Sequence, residues 1–387
     1  MKILIEKKLE EIANCVLAAV SQKPLNLQGS VYSGQFGLLL FLFYYHKYTG
    51  NKNVEEVLNQ YAARLMSEME VTLHTFCGGL SGVLYLFIFL RENDFIDIDI
   101  SDVEEEFEQY LIRKTRVDMD RHYYDFMHGA LGTGLYFLKK GTHEEFINEI
   151  IDYLYTTSEV DEKSKGLKWT SQINADGIKG TNIALSHGMS SILLFLSRAL
   201  ERGINNEKIN VLMEGLVNFL LSQRIDPEIY GSHFPYYSTE VPGVGKSRMA
   251  WCYGDLGVGY ALWYAGRVLN NSEVEDKGMQ VLLHTTGRRS PNEVGEAGIC
   301  HGCSSMSMFY RRLYLETNNE IFSESAEYWL NLTLDFAKYS DGLAGYKSFI
   351  KDWVTDYSLL TGISGIGLVF ISYLNGDQQN WDELFLL

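Results

Sequence analysis

Basic residues are scarce in this 387-residue sequence relative to acidic ones. Lys and Arg together number 33 against 50 Asp and Glu, which gives a net charge of −17 at pH 7. A chain this acidic is repelled by phosphate backbones and by anionic membrane surfaces. The charge balance therefore argues against a nucleic acid or an anionic membrane as the main partner.

Long apolar runs are also missing. The longest, such as those at 37–45 and 80–90, fall well short of the roughly 20 residues that a helix needs to span a bilayer. The first residues mix acidic and basic side chains where a signal peptide would be apolar. We therefore expect a cytoplasmic protein without a transmembrane segment.

Cysteine and proline are few. Five cysteines, an odd number in a long chain, do not make a disulfide framework, so each thiol is core, metal ligand or nucleophile. With only five prolines, stretches such as 55–70 and 207–223 keep apolar residues three and four apart, which is the spacing of a helix. Apolar residues make up 46% of the chain and charged residues 21%, enough for a sizeable core. The sequence predicts an all-α fold.

One short motif is abundant: Gly-x-x-Gly followed by an apolar run recurs seven times. In two copies Ser191 and Ser305 replace the second glycine. The interval averages about 55 residues, which suits two helices plus loops in each repeat. The first glycines of the seven copies are Gly34, Gly79, Gly129, Gly188, Gly254, Gly302 and Gly362.

The apolar runs after the glycines are hydrophobic around most of their circumference, which predicts buried helices. The stretches between them are more charged and amphipathic. Seven buried helices alternating with seven amphipathic ones predict an α/α toroid of seven helix-pair repeats, with the glycine-rich ends at one mouth. We expect a single domain over residues 1–387. An open helical array is the alternative, because periodicity alone does not show closure.

Two long segments interrupt the repeats, from Glu159 to Thr181 and from Ile225 to Ser247. Loops of this length inside a compact domain tend to be functional or disordered, and their aromatic residues disfavour disorder. We expect both to lie at the mouth.

The two positions before each first glycine, here called the pre-glycine edge, hold cysteine or histidine in five of the seven repeats. A lone cysteine is usually a small buried hydrophobe, and a lone histidine is more often a core residue. Their recurrence at equivalent positions favours a shared site. If the repeats converge on one mouth, these side chains converge as well.

Cys252, Cys300 and His301 are the strongest candidates on this edge. Two thiolates and one imidazole make a catalytic zinc set that leaves the fourth tetrahedral position open. Cys303 forms a Cys-x-x-Cys with Cys300, but a zinc knuckle needs a second pair and a thioredoxin-like pair needs a βαβ setting. We interpret Cys303 as packing on the following helix, and Cys15 and Cys77 as core.

Proton transfer has candidates in His187, in Ser-His-Gly, and in Asp125. His128 is a rival for His187 because it occupies the same register of its repeat. Arg248 has the charge to hold a developing anion, and Trp251 is expected to form a wall of the pocket.

At these residues the sequence resembles the lanthionine synthetase C-like family, the lantibiotic cyclases. The matching segments are Arg248-Met-Ala-Trp-Cys-Tyr-Gly254, Cys300-His-Gly302, Ser186-His-Gly188 and the recurrent Gly-x-x-Gly. The resemblance implies an α/α toroid of seven inner and seven outer helices. It also implies that Cys252, Cys300 and His301 are zinc ligands. His187, Asp125, Arg248 and Trp251 match the positions of acid–base chemistry and the pocket around it.

The activity that the resemblance implies is cyclisation of a dehydrated precursor peptide. A peptide cysteine thiolate, activated by Zn²⁺, adds to the β-carbon of dehydroalanine or dehydrobutyrine and closes a thioether ring. Without a dehydratase-sized region, the chain would be a stand-alone cyclase served by a separate dehydratase. A cytoplasmic location is then expected, either free or at the periphery of a membrane-bound biosynthetic complex.

Several alternatives remain open. A protein prenyltransferase subunit also activates a peptide thiol with zinc, but no matching Asp-Cys-His arrangement is present. A glycosidase needs paired carboxylates at the mouth. A cyclase-like zinc protein that binds a thiol such as glutathione, or a partner peptide, without cyclising it is the main rival. A helical scaffold with structural zinc is another.

Overall fold

The chain is almost entirely helical in a computed structural model that describes residues 1–22, 27–68, 71, 73–97, 101–171, 180–204, 207–243, 245–376 and 379–387. Two short antiparallel hairpins are the strands within these residues. The prediction of an all-α fold is confirmed for the part of the chain described. Part of the first long interrupting segment, residues 172–179, and residue 244 of the second lie outside the described residues.

The chain divides into two compact units. The first contains Met1–Leu73, Cys77–Ile96 and Arg289–Leu387. Its helices are α1 (Lys2–Ser21), α2 (Gln35–Thr49), α3 (Lys52–Glu68), α4 (Leu80–Glu92), α13 (Cys303–Thr317), α14 (Glu320–Asp335) and α15 (Ile363–Asn375). Its hairpin joins β3 (Ser348–Phe349) to β4 (Trp353–Val354), with Phe349 opposite Trp353. Short 3₁₀ turns lie at Pro291–Glu293 and Trp381–Phe385.

The second unit contains His74–Phe76 and Asp97–Arg288. Its helices are α5 (Ser101–Asp120), α6 (Ala130–Lys140), α7 (Glu144–Thr157), α8 (Met189–Glu201), α9 (Lys208–Ser222), α10 (Pro227–Tyr230), α11 (Asp255–Val268) and α12 (Ser272–Thr285). Its hairpin joins β1 (Glu159–Val160) to β2 (Leu167–Lys168). The expectation of a single domain over residues 1–387 stays a prediction.

The first glycine of every motif is the residue immediately before a buried helix, at the starts of α2, α4, α6, α8, α11, α13 and α15. In the motif at Gly129 the chain before the glycine folds back, so that the first helical N–H, that of Ala130, donates to the carbonyl of Tyr123 at 3.1 Å. This bond satisfies one of the orphan donors at a helix start. A Cβ on Gly129 would lie only 2.5 Å from that carbonyl oxygen. Glycine is therefore needed for close approach of the loop.

In the two motif copies that contain serine, the serine hydroxyl forms the same hydrogen bond. Ser191 Oγ donates to the carbonyl of Gly188, and Ser305 Oγ to that of Gly302, each at 2.8 Å. Both serines are buried. The serine that replaces the second glycine is therefore accommodated within the first turn of α8 and of α13.

Burial alternates along the chain as the sequence predicts. In α4, every residue from Leu80 to Leu90 is buried. In α7, only a stripe of apolar residues is buried, including Phe146, Ile150 and Leu154. The described residues thus form seven buried helices after the glycines and seven amphipathic ones, with α10 as a short addition. Helix α1 precedes the first buried helix, and the other six amphipathic helices lie between buried ones.

The last repeat lies beside the first within the first unit. Helix α15 packs against both α1 and α2. At the pre-glycine edges, the N–H of Leu360 donates to the carbonyl of Tyr32 at 2.9 Å. Similar backbone bonds join Tyr32 to Cys77 and Cys300 to Leu360. Equivalent positions of neighbouring repeats are therefore in contact, and the first and last repeats are neighbours rather than the free ends of an open array.

Crossing a membrane takes a helix that is both long and apolar, and none of the helices in the described part of the chain meets both conditions.

Candidate active site

The Trp-Cys-Tyr-Gly loop holds Cys252 in the second unit. Gly254 follows with φ +100°, a conformation that a residue with a Cβ adopts only under strain. The Cys252 carbonyl accepts both the N–H and the Oγ–H of Ser186, at 3.3 and 3.1 Å. The Ser-His-Gly segment is thereby fixed beside the cysteine loop.

His187 and Asp125, the two candidates for proton transfer, form a hydrogen-bonded pair. His187 Nδ1 lies 2.8 Å from Asp125 Oδ2, and the carboxylate is only 4% exposed. The other oxygen, Oδ1, accepts the backbone N–H of His128 at 2.7 Å. Because a carboxylate accepts, Nδ1 of His187 carries the proton and Nε2 faces away from Asp125.

The pKa values of the two neighbouring histidines are shifted in opposite directions. Burial lowers the pKa of His187, but the hydrogen bond to Asp125 and the charges of Asp125 and Cys252 outweigh it, so the pKa is raised above its ordinary value. Burial lowers the pKa of His128 below its ordinary value, and the charge of Asp125 only partly offsets this. The rings stack with centroids 5.7 Å apart. The ring that Asp125 orients belongs to His187.

Aromatic side chains surround this pair. Tyr253 lies next to His187, with ring centroids 6.5 Å apart, and its hydroxyl accepts from Asn182 at 3.0 Å. Tyr236 and Tyr237, from the second long interruption, contact the Tyr253 ring. Within the second unit, this interruption therefore lies beside the cysteine loop.

Arg248 and Trp251 occupy different settings. The Arg248 guanidinium lies over the Tyr236 ring, 5.5 Å from its centroid. Its Nε is buried and has no hydrogen-bond partner in the described part of the chain. Trp251 is fully buried. Arg248 thus has one buried donor without a partner among the described residues, whereas Trp251 lies in the core.

A buried carboxylate ties the second interruption to α11. Asp255 accepts the backbone N–H groups of His233 and Phe234 at 2.9 and 2.8 Å. Arg288 Nη1 lies 3.4 Å from the same side chain. These contacts hold residues 233–234 against the start of the helix that follows Cys252.

Cys300 and His301 lie in the first unit, at the start of α13. The Cys300 N–H donates to the carbonyl of Leu360 at 2.8 Å. A Cβ on Gly298 would lie 2.6 Å from the Thr361 carbonyl oxygen, so glycine allows this close packing. His301 Nε2 lies 3.1 Å from Oε1 of Glu296, a side chain that is 1% exposed. The backbone around Cys300 and His301 is thus fixed by glycine and by backbone hydrogen bonds.

Cys252 of the second unit and Cys300 and His301 of the first carry donor atoms that could hold a metal ion. Cys252 is buried, and the other two are half-buried. Two thiols and one imidazole fit the ligand preference of Zn²⁺ and leave one tetrahedral position open. Cys303, by contrast, is fully buried in α13, and burial raises its pKa. Its setting is that of a packing residue.

Comparison with known protein families identifies the family to which the chain belongs. The sequence model of the Lanthionine synthetase C-like protein family matches residues 26–386. The chain belongs to this family. No curated protein sequence matches the chain significantly.

Solved structures similar to this family member include one described as nisin cyclase. It shares 18% sequence identity, covers 99% of this chain and 97% of its own, and has a TM-score of 0.77. This likeness shows the fold, and the predicted α/α-toroid fold is confirmed. A sugar epimerase from a ruminal bacterium shares 9% identity over 97% of this chain and 100% of its own. Its TM-score of 0.44 is too low to support an inference.

Sequence reasoning missed three contributors to the candidate site of this family member. Glu296 lies five residues before His301, a spacing with no helical meaning across an irregular loop. Asp255 and Arg288 are far apart in sequence. The Glu-Ala-Gly-Ile-Cys-His segment held one usable signal, an acidic residue inside an otherwise apolar stretch.

Proposed function

We propose that this family member is a zinc-dependent lanthionine synthetase that cyclises a dehydrated precursor peptide. The observation that carries the proposal is the donor set of Cys252, Cys300 and His301 in a chain of this family. The nisin cyclase match supports a cyclase role. The same donor set favours thiol chemistry over the glycosidase alternative, which needs paired carboxylates.

Zn²⁺ held by these residues would supply positive charge that keeps a substrate cysteine deprotonated at neutral pH, where a free thiol is mostly protonated. The sulfur then bonds to the β-carbon of the dehydro residue as the carbon–carbon π bond breaks. The thiol proton is released, and the α-carbon takes up one proton. The peptide mass is therefore unchanged by ring closure.

His187 is proposed to give the proton to the α-carbon. Its Nδ1 is engaged by Asp125 at 2.8 Å, so Nε2 is the atom directed at substrate. The raised pKa of His187 keeps more of the imidazole in its acid form. General acid catalysis of this kind contributes about 10²–10⁴-fold to rate.

Arg248 is proposed to face the negative charge that develops on the substrate carbonyl. Its buried Nε lacks a protein partner among the described residues, and its plane is supported by Tyr236. A preorganised donor of this type stabilises charge that forms in the transition state. Trp251 would act by holding the cysteine loop.

The test is incubation of the purified protein with a synthetic dehydrated peptide. We expect one bound zinc per chain and loss of free thiol at constant mass, measured by thiol alkylation and mass spectrometry. Cys300→Ala should lose zinc and ring formation together. Cys15→Ala, the same change at a half-buried cysteine of α1, should keep both.

Two results would contradict the proposal. Full activity in the Cys300→Ala protein would show that ring closure does not need a metal held by Cys300. Zinc binding without any loss of thiol would favour the alternative in which the protein holds a thiol or a partner peptide without cyclising it. We propose further that a separate dehydratase prepares the peptide and that the reaction takes place in the cytoplasm.

A further inference from the structure

His301 has a close carboxylate neighbour that its predicted role does not account for. Glu296 Oε1 lies 3.1 Å from His301 Nε2. The glutamate side chain is 1% exposed, while that of His301 is 25% exposed. An acidic group this deeply buried is costly unless other polar groups compensate for its desolvation.

The second carboxylate oxygen of Glu296, Oε2, accepts a hydrogen bond from the backbone. The backbone N–H of Phe349, in β3, donates to Glu296 Oε2 at 2.6 Å. The Glu296 backbone is fixed as well, because its carbonyl accepts the N–H of Cys303 at the start of α13 at 3.1 Å. Glu296 is thus held through its backbone carbonyl and through Oε2, and these bonds place the buried Oε1, which makes no hydrogen bond among the described residues, 3.1 Å from the imidazole.

This arrangement decides which imidazole nitrogen is available. A carboxylate beside Nε2 favours the tautomer with the proton on Nε2, which leaves the Nδ1 lone pair for a metal. A carboxylate in this position also fixes the ring and makes the ligating nitrogen more basic. We propose that Glu296 is a positioning residue that directs His301 to bind the metal through Nδ1. The inference rests on the proposed function only in requiring that His301 bind the zinc.

Zinc affinity and nitrogen coordination are measured without any peptide. Competition with a chromophoric chelator should show that Glu296→Gln binds zinc about ten- to a hundredfold more weakly than the natural protein. Glu296→Asp, which keeps the charge on a shorter side chain, should recover part of the loss. Glu293→Gln, the same change at a half-buried residue of the same loop, should bind zinc normally.

The coordinating nitrogen is read from two-bond ¹H–¹⁵N correlation spectra of the natural protein labelled with ¹⁵N-histidine, with and without zinc. We expect zinc to shift Nδ1 of His301 while Nε2 keeps its proton. If Glu296 only stabilised the fold, Glu296→Gln would lower the melting temperature of the metal-free protein, and the variant would still bind zinc through Nδ1 of His301.

Coordination through Nε2, or unchanged zinc affinity in a folded Glu296→Gln protein, would overturn the inference. If Glu296→Gln does not fold, the zinc affinity of Glu296→Asp is compared instead, and an affinity equal to that of the natural protein would overturn the inference. A natural protein that binds no zinc would instead reject the proposed function, and the inference with it. Normal zinc affinity in a folded Glu296→Gln protein would reject the inference and leave the proposed function standing.

Discussion

The two histidine–carboxylate pairs of this protein differ in the nitrogen that faces the carboxylate. Asp125 lies against Nδ1 of His187, at 2.8 Å. Glu296 lies against Nε2 of His301, at 3.1 Å. In both pairs the second carboxylate oxygen accepts a backbone N–H, from His128 and from Phe349.

We propose that these similar parts serve different chemistry. In the proposed function, the outer nitrogen of the His187 ring, Nε2, exchanges a proton with substrate. In the inference above, Nδ1 of His301, close to the backbone, presents its lone pair to a metal. Under these proposals the position of a buried acid, rather than the histidine itself, assigns the role of each imidazole.

The largest expected effect comes from removing the proposed acid. His187→Ala should lower the rate of ring closure by about 10²–10⁴-fold, because the positioned proton donor is lost. Zinc content, measured by atomic emission, should stay at the natural level. His128→Ala is the matched control, since its ring stacks on His187 but is not the ring that Asp125 orients. A larger loss in His128→Ala than in His187→Ala would reverse the assignment.

A smaller loss should follow when the first pair is kept but its charge is removed. Asp125→Asn should slow ring closure by roughly ten- to a hundredfold, because a hydrogen bond to a charged group contributes about 1.5–3 kcal/mol. Zinc affinity should be unchanged, in contrast to the Glu296→Gln protein. Equal effects of both changes on zinc affinity would remove the distinction between the two pairs.

The smallest change in turnover is expected at a third buried carboxylate, which pairs with arginine instead of histidine. Asp255→Asn leaves Arg288 buried without its charge partner, which typically costs about 3–5 kcal/mol. Urea unfolding should show this loss of stability. The rate per folded molecule should stay close to that of the natural protein. The exposed pair of Glu273 and Lys277 offers a control, and Glu273→Gln should unfold at an unchanged urea concentration.

Much of the fold follows from local pattern. The seven glycines predicted the starts of seven buried helices. At Gly188, for example, a loop carbonyl packs where a side chain would be, because a Cβ there would lie 2.2 Å from the Asn182 carbonyl oxygen. Asp125 and His187, both predicted as candidates for proton transfer, lie within hydrogen-bond distance of each other. The replacement of glycine by Ser191 and Ser305 was visible in sequence, but the hydrogen bonds that accommodate them were not.

Repetition, hydrophobic periodicity and residue type were enough to specify the helices, their alternation and the chemistry of the candidate ligands. Each of these depends on contacts within one or two turns of chain, which sequence spacing reports directly. Tertiary structure alone decided that Glu296 meets Nε2 of His301 and that Phe349 meets Glu296. Those contacts join an irregular loop, a helix start and a hairpin, and no period relates such segments in sequence.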